Sequence, residues 1–204
     1  MRYIALCLAV ATLTLFSEEA KVYEGRSAAD WGERLAAVDF NKVKLAEADA
    51  AAQNSPDVVE FQHVVHALTV LGGDSLKPLA AVLRRATTVS AQQYVSSIFY
   101  QLKVTDKEQF LAGLLELLKD EHYSVRRVAI ETLGSDAYLN DPKAEAAIKE
   151  MLKDRDLAVV ETAQGTLEQI RALREQKAQE KAQLDLQIKV DAANRKAAKP
   201  EDNF

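Results

Sequence analysis

The apolar residues of this chain recur at helical spacing over most of its length. Stripes with gaps of three and four residues run through residues 58–71, 76–83, 94–102, 110–118 and 125–133. Each stripe ends at a polar or glycine-containing break. Glycine and proline are scarce, whereas Ala, Leu, Glu, Lys and Gln abound, which favours helix. The pattern predicts an all-α fold.

Several helix boundaries carry a local signal. Ser27 with Asp30 three residues later matches a capping box ahead of a helix through Trp31. Ser55-Pro56 and Pro142 are typical of a first helical turn, because proline at that position loses no hydrogen bond. These signals predict helix starts near residues 28, 56 and 142.

Two segments of the chain repeat each other with a shift of 34 residues. Residues 114–120 (LLELLKD) return as residues 148–154 (IKEMLKD). The shift continues downstream, where Val125 and Ala129 correspond to Val159 and Ala163. Helical repeats of this period are the mark of an α-solenoid, in which each helix pair packs on its neighbours. We predict an α-solenoid of about four antiparallel helix pairs.

The repeated segment resembles HEAT repeats, and most closely the short kind found in phycobilin-lyase-like proteins. The resemblance rests on residues 117–120 (LLKD), on Val125-Arg126 and on the stretch up to Gly134. It implies that Asp120 and Arg126 belong to a polar ladder between neighbouring repeats. The next repeat keeps Asp154 but has Val160 at the arginine position, so we expect the ladder to end there. The start of the predicted array, with Trp31, is similar to exported bacterial HEAT proteins.

The first residues are typical of an export signal. Arg2 precedes an apolar or hydroxylic run over residues 3–16, which is short for a membrane span. We predict a signal peptide or N-terminal anchor over 1–17, a linker over 18–26, the HEAT-like domain over 27–170 and a charged helical or disordered tail over 171–204. The protein is then periplasmic or secreted, with membrane contact only if the first segment is uncleaved. The single cysteine, Cys7, lies inside the apolar run.

The tail carries eight basic and four acidic side chains over residues 171–199. Leu184 and Ile188 cannot form a heptad seam, because Lys177, Glu180 and Asp191 occupy positions that such a seam needs. A solvated helical extension and a docking helix for a partner both remain open.

The three residues Glu60, His63 and His66 share one side of a predicted helix. Aligning Leu71-Gly72 with Leu133-Gly134 places both histidines at core positions, on Val125 and Val128. We therefore predict buried, neutral histidines with lowered pKa values rather than a metal site.

Motif searches favour a binding protein over an enzyme. The sequence contains no phosphate-binding glycine loop, nucleophile elbow or zinc-protease motif. The net charge of −5 opposes general nucleic-acid binding. We predict no cofactor, and a protein partner for a non-enzymatic scaffold or adaptor. The alternative is a cofactor-handling or enzyme-accessory protein of the phycobilin-lyase-like type.

The partner surface is predicted to be the inner, concave face of the array. The repeat shifts bring Gln62, Val65 and Thr69 to this face upstream, and Tyr100 and Arg127 are its candidate anchors, because Tyr and Arg dominate protein interfaces. The predicted partner-binding residues are Gln93, Ser96, Tyr100, Arg127, Glu131 and Glu161.

Overall fold

The structure is a computed structural model that describes residues 21–49 and 52–197. The predicted signal segment over 1–17 and the last residues, 198–204, lie outside the described residues. Within the described ranges, a short hairpin precedes nine α-helices: β1 (Val22–Tyr23), β2 (Arg26–Ser27), α1 (Ala28–Ala36), α2 (Phe40–Ala48), α3 (Pro56–Leu71), α4 (Leu76–Arg85), α5 (Val89–Gln101), α6 (Lys107–Leu117), α7 (Tyr123–Leu133), α8 (Pro142–Glu150) and α9 (Leu157–Ala197).

The helices stack as two parallel rows, as expected of an α-solenoid. The first row is α1, α4, α6 and α8, and the second row is α3, α5, α7 and α9. Each helix packs against its partner in the other row and against the next helix of its own row. The predicted all-α solenoid of four helix pairs is confirmed, with α2 inserted into the first pair, where it packs on α3 and α5.

The helix starts follow the local signals in the sequence. The Ser27 hydroxyl accepts from the Asp30 N–H, and the Asp30 carboxylate accepts from the Ser27 N–H at 3.0 Å, which completes the capping box. Pro56 and Pro142 open α3 and α8. At the end of α3, Gly72 adopts φ +63°, a left-handed conformation that glycine takes at little cost.

The core lies between the two rows and is almost entirely apolar. Leu79, Leu83, Ile98 and Leu114 are buried where α4, α5 and α6 meet. Where α7 ends, the chain passes so close to α9 that a Cβ on Gly134 would overlap the Thr166 methyl carbon, so the packing there requires glycine.

The predicted linker over 18–26 is structured in its second half. The β1–β2 hairpin turns at Glu24 and Gly25, both with positive φ, and covers the exposed side of α1 and α3. Trp31 is fully buried beneath it and donates its indole N–H to the Tyr23 carbonyl at 3.2 Å. The hairpin therefore shields the first helix pair from water.

The prediction that His63 and His66 are buried is wrong. His66 is exposed, and half-buried His63 has Nε2 3.0 Å from the Glu24 carboxylate. The alignment itself placed the main core stripe correctly, since the positions of α3 that match Arg126, Ala129, Ile130 and Leu133 of α7 are buried. However, α7 lies between α5 and α9 and buries a second side, whereas α3 is first in its row. On that second side, among the described residues, α3 meets the hairpin and Trp31 of α1, whose ring centroid lies 5.0 Å from that of His63.

The last helix continues beyond the array. Residues up to Arg174 pack against α7 and α8, and Arg174 donates to the Leu139 carbonyl at 2.8 Å. Every residue from 175 to 191 is exposed. The boundary predicted at residue 171 therefore falls within one continuous helix. Among the described residues, no helix is long and apolar enough to cross a membrane.

Candidate functional site

The exposed side of the second row contains a groove between α3 and α5. Its volume is about 440 Å³, and its lining mixes aromatic, aliphatic and uncharged polar side chains: Phe61, Gln62, Val65, His66, Thr69, Tyr94, Ser97, Ile98 and Gln101. Pockets that bind organic groups are usually apolar with a few polar positions, and this groove has that composition.

One wall of the groove is held rigid by an aromatic cluster. Tyr94 stacks on Phe40 of α2 with ring centroids 5.9 Å apart and meets Phe61 edge-on at 5.4 Å. Its hydroxyl donates to the Glu47 carboxylate at 2.7 Å. Burial, and then the neighbouring Glu47, raises the pKa of Tyr94 to about 12. Tyr94 is therefore a fixed, protonated side chain at neutral pH.

A polar atom in the groove lacks a partner. The Thr69 hydroxyl oxygen is buried, and no hydrogen-bond partner for it occurs among the residues that the structure describes. A buried hydroxyl without a partner costs free energy, and such groups are rare in folded proteins. The Thr69 hydroxyl therefore has unused hydrogen-bonding capacity beside the groove.

Beyond the groove, a strip of polar contacts crosses from α5 to α9. The Tyr100 hydroxyl donates to the Glu131 carboxylate, whose other oxygen lies 3.8 Å from the Arg127 guanidinium. Arg127 Nε donates to the Thr162 hydroxyl at 3.0 Å. These contacts hold Tyr100, which is 51% exposed, in one orientation at the surface. We call these four residues the polar strip.

The polar strip is better suited to binding than to acid–base chemistry. Burial, and then the hydrogen bond to Glu131, raises the pKa of Tyr100 well above its ordinary value. The hydroxyl therefore stays protonated, and the carboxylate beside it already accepts that proton in a hydrogen bond. No group of three or more His, Cys, Asp or Glu side chains that could hold a metal ion occurs in the described part of the chain.

The structure brings together some of the predicted site residues. Tyr100, Glu131 and Arg127 contact one another in the polar strip. Gln93 and Glu161 are exposed and Ser96 is half-buried on α5 and α9, in the same row. These six remain predicted binding residues.

The repeat pattern of the sequence identified only half of the groove. It placed Gln62, Val65 and Thr69 on the inner face, and they line the groove. On α5 it selected Tyr100, which contacts Glu131 of α7, and two positions in register with it, whereas the groove is lined by the residues one position later, such as Ser97 and Gln101. Phe61 of α3 and Tyr94 of α5 contact each other across the two helices, and this aromatic pair is the signal that could have located the groove.

A larger groove lies on the first row. It has a volume of about 560 Å³ between α1, α4 and α6, and its walls are mostly small side chains such as Ala28, Ala112 and Gly113. An ion pair between Lys77 and Glu116, 3.2 Å apart, lies at this groove. It has no large aromatic residue among its lining residues, so the second row is the stronger candidate.

The ends of neighbouring repeats are joined by ion pairs that continue from one repeat to the next. Arg84 of α4 donates through Nε to the Asp120 carboxylate at 3.1 Å, and Arg126 donates twice to Asp154 at 2.8 Å. Arg126 also donates to the Asp120 and Glu121 carbonyls. This ladder joins three successive helix pairs and gives the second row a fixed spacing.

The ladder and the paired rows agree with the comparison with known protein families. Residues 111–185, which contain most of α6 and α9 with α7 and α8 between them, match the family described as HEAT repeats. This part of the chain carries HEAT repeats. Arrays of this kind expose extended surfaces and generally act as scaffolds for protein interactions. No curated protein and no solved structure matches the chain.

Proposed function

We propose that this HEAT-repeat protein is an exported, non-enzymatic scaffold that binds a protein partner on the exposed side of α3, α5, α7 and α9. The groove between α3 and α5 carries the proposal, because it combines aromatic walls with an unpaired hydroxyl. A side chain of the partner fills the groove, and one of its polar groups bonds to Thr69.

The polar strip extends the binding surface beyond the groove. Aromatic and arginine side chains contribute most of the energy in typical interfaces. Here Tyr100 and Arg127 are already oriented by Glu131 and Thr162, so little side-chain entropy is lost when a partner binds. The exposed oxygen and nitrogen atoms of the strip suit a partner with backbone or amide groups at its surface.

Export is the second component of the proposal, and it rests on the sequence of the first residues. Arg2 and the apolar run up to Phe16 are typical of a secretory signal. The scaffold then acts in the periplasm or outside the cell. N-terminal sequencing of the protein recovered from its native host tests this: a mature end between residues 17 and 21 supports export, and an intact Met1 in the cytoplasm refutes it.

Site-specific crosslinking tests the binding face. A photoreactive phenylalanine at Gln101, at the groove, should capture one defined protein in the native host. The same residue at Ala146, exposed on α8 of the first row, is the control and should not capture it. Equal capture from both positions would contradict the proposed face.

A groove-filling variant tests the same face without removing any packing. Ser97→Arg places a long side chain into the groove, and Ala146→Arg makes the same change on the first row. Capture by a crosslinker at Gln101 should be lost only in the Ser97→Arg protein. The double variant Tyr100→Ala with Arg127→Ala should weaken capture, and full capture by it would show that the polar strip takes no part.

A further inference from the structure

The part of α9 that extends beyond the array is a bare helix with large apolar side chains. Leu184, Leu186, Ile188 and Val190 are between 45% and 63% exposed. Lys177, with Nζ 3.0 Å from Asp136, is where the helix leaves the array. Single helices of this length gain most of their stability from packing, so a segment of this kind is typical of a surface that another helix covers.

One side of this helix carries no charge along its whole length. Spacings of four and three residues place a continuous row on that side: Ala172, Gln176, Gln179, Gln183, Leu186 and Val190. The row spans about 27 Å of helix axis. The opposite side contains Leu184 and Ile188 but is interrupted by Lys177, Lys181 and Asp191. Only the uncharged row can face another helix without burying a charge.

We propose that two copies of this chain pair through this uncharged row, with their α9 helices antiparallel. In this arrangement Gln176 of one copy lies opposite Leu186 of the other, Gln179 lies opposite Gln183, and Ala172 lies opposite Val190. The interface is self-complementary, as a two-fold symmetric contact requires.

The charges beside the row select the antiparallel orientation. Antiparallel pairing places Glu175 of each copy beside Lys189 of the other, which gives two opposite-charge pairs, and it brings the two Glu180 side chains together once. Parallel pairing places Glu175 of each copy against Glu180 of the other, which gives two like-charge contacts. Opposite charges beside a helical seam set partner orientation, so the antiparallel pair is favoured.

This pairing does not depend on the proposed binding face. It uses α9 beyond residue 171, whereas the groove and most of the polar strip lie on α3, α5 and α7. A protein that dimerises with an intact groove can still bind its partner, and failure of one proposal leaves the other standing.

Cysteine crosslinking of the full chain tests both the contact and its orientation. In a Cys7→Ser background, one tagged copy carries Gln176→Cys and a second, differently tagged copy carries Leu186→Cys. Mild oxidation should give the mixed 176–186 dimer and little of either self-dimer. Predominant self-dimers would show a parallel pair, and no crosslink would show that the row is not an interface, so either result overturns the proposal.

Two further variants separate this contact from nonspecific association. Replacing Leu186→Cys by Ile188→Cys moves the thiol to the opposite side of the helix and should abolish the mixed dimer. Lys189→Glu should lower the yield of the 176–186 dimer about threefold to tenfold, and adding Glu175→Lys should restore it. Equal crosslinking at position 188, or no rescue by the charge exchange, would refute the antiparallel row and favour an unrelated protein or surface as the occupant.

Discussion

Replacing Arg126 by methionine removes the buried link between the last two repeats. The Arg126 and Asp154 side chains are 4% and 6% exposed, and they share two hydrogen bonds of 2.8 Å. Methionine keeps much of the volume and the apolar stem but removes the charge. The variant leaves the Asp154 carboxylate and the Asp120 carbonyl without their arginine donor, whereas the Glu121 carbonyl still accepts from Arg155 at 3.0 Å.

The expected loss of stability is large for a single substitution. Removing one partner of a buried ion pair costs about 3–5 kcal/mol, because the remaining charge is buried without compensation. Exposed pairs in this chain, such as Lys153 with Glu150, are worth less than about 1 kcal/mol each. Since most proteins are stable by only about 5–15 kcal/mol, Arg126→Met removes a considerable fraction of the total.

The pH dependence of folding stability provides a second, independent test of the buried pair. Burial by itself raises the pKa of Asp154, but hydrogen bonds from Arg126 and from the Asp156 N–H hold it below its ordinary value. The wild type therefore gains stability above about pH 4 and loses it as the pH falls through the lowered pKa. In the variant the burial remains and the arginine is gone, so that pKa should rise. The difference in stability between the two proteins should then shrink as the pH falls from 7 to about 4.

Urea unfolding followed by circular dichroism at several pH values measures both effects. Fluorescence of Trp31, the sole tryptophan, reports on the first repeat at the far end of the array. Because repeats are coupled mainly to their neighbours, circular dichroism should shift more than Trp31 fluorescence. The double variant Arg126→Met with Asp154→Leu is the control and should cost less than the sum of the single changes. A loss below about 1 kcal/mol that does not change with pH would refute the buried pair.

Three further predictions follow from local geometry. Gly134→Ala should lower the free energy of unfolding in urea by about 1–3 kcal/mol, because the new Cβ meets the buried methyl group of Thr166 on α9. Gly165→Ala is the control: it has open space around it and should raise the free energy of unfolding by about 0.5–1 kcal/mol. Equal effects of the two changes would contradict the close contact at Gly134. Glu47→Gln should lower the pKa of Tyr94 from about 12 in an ultraviolet titration, and an unmoved titration would show that burial alone sets the pKa. A raised pKa of Tyr94 stabilises the folded protein fully below about pH 10, and this stability is lost as the pH rises through the pKa of the folded state. In the variant the loss should therefore be complete at a lower pH than in the wild type. His63→Gln should change stability by less than about 1 kcal/mol in urea unfolding, because the contact between its ring and the Glu24 carboxylate lies at the surface, and a loss well above about 1 kcal/mol would contradict this position.

The sequence was sufficient to predict the stacking of the helix pairs. The 34-residue shift places Asp120 and Asp154 at equivalent turns, and Arg126 reaches from one repeat to the other as the ladder requires. The contribution of Arg84 could not be predicted in this way. It lies at the end of α4 and pairs with Asp120 of the next repeat, a contact between elements that share no repeated residue pattern.

Burial on the outer sides of helices was harder to predict than the main core stripe. His63 and His66 occupy repeat positions that are buried on α7, but in the described part of the chain no helix precedes α3 in its row to cover them. An alignment of repeats assumes equal neighbours on both sides, and this assumption fails at the first repeat. On α5 the predicted positions were one residue away from those that line the groove. One residue along a helix turns a side chain by about 100°, so this small error moved the prediction to another side of the helix.

The two ends of the array differ. At the first repeat the hairpin covers Trp31, and α2 packs on α3 and α5. At the last repeat Val160 replaces the arginine of the ladder, and α9 continues outward as Arg174 bonds to the Leu139 carbonyl. A solenoid with a covered first end does not extend by stacking another copy on that end. Its remaining long surfaces are the exposed sides of its rows and the bare part of α9, so association with other molecules is directed to these surfaces.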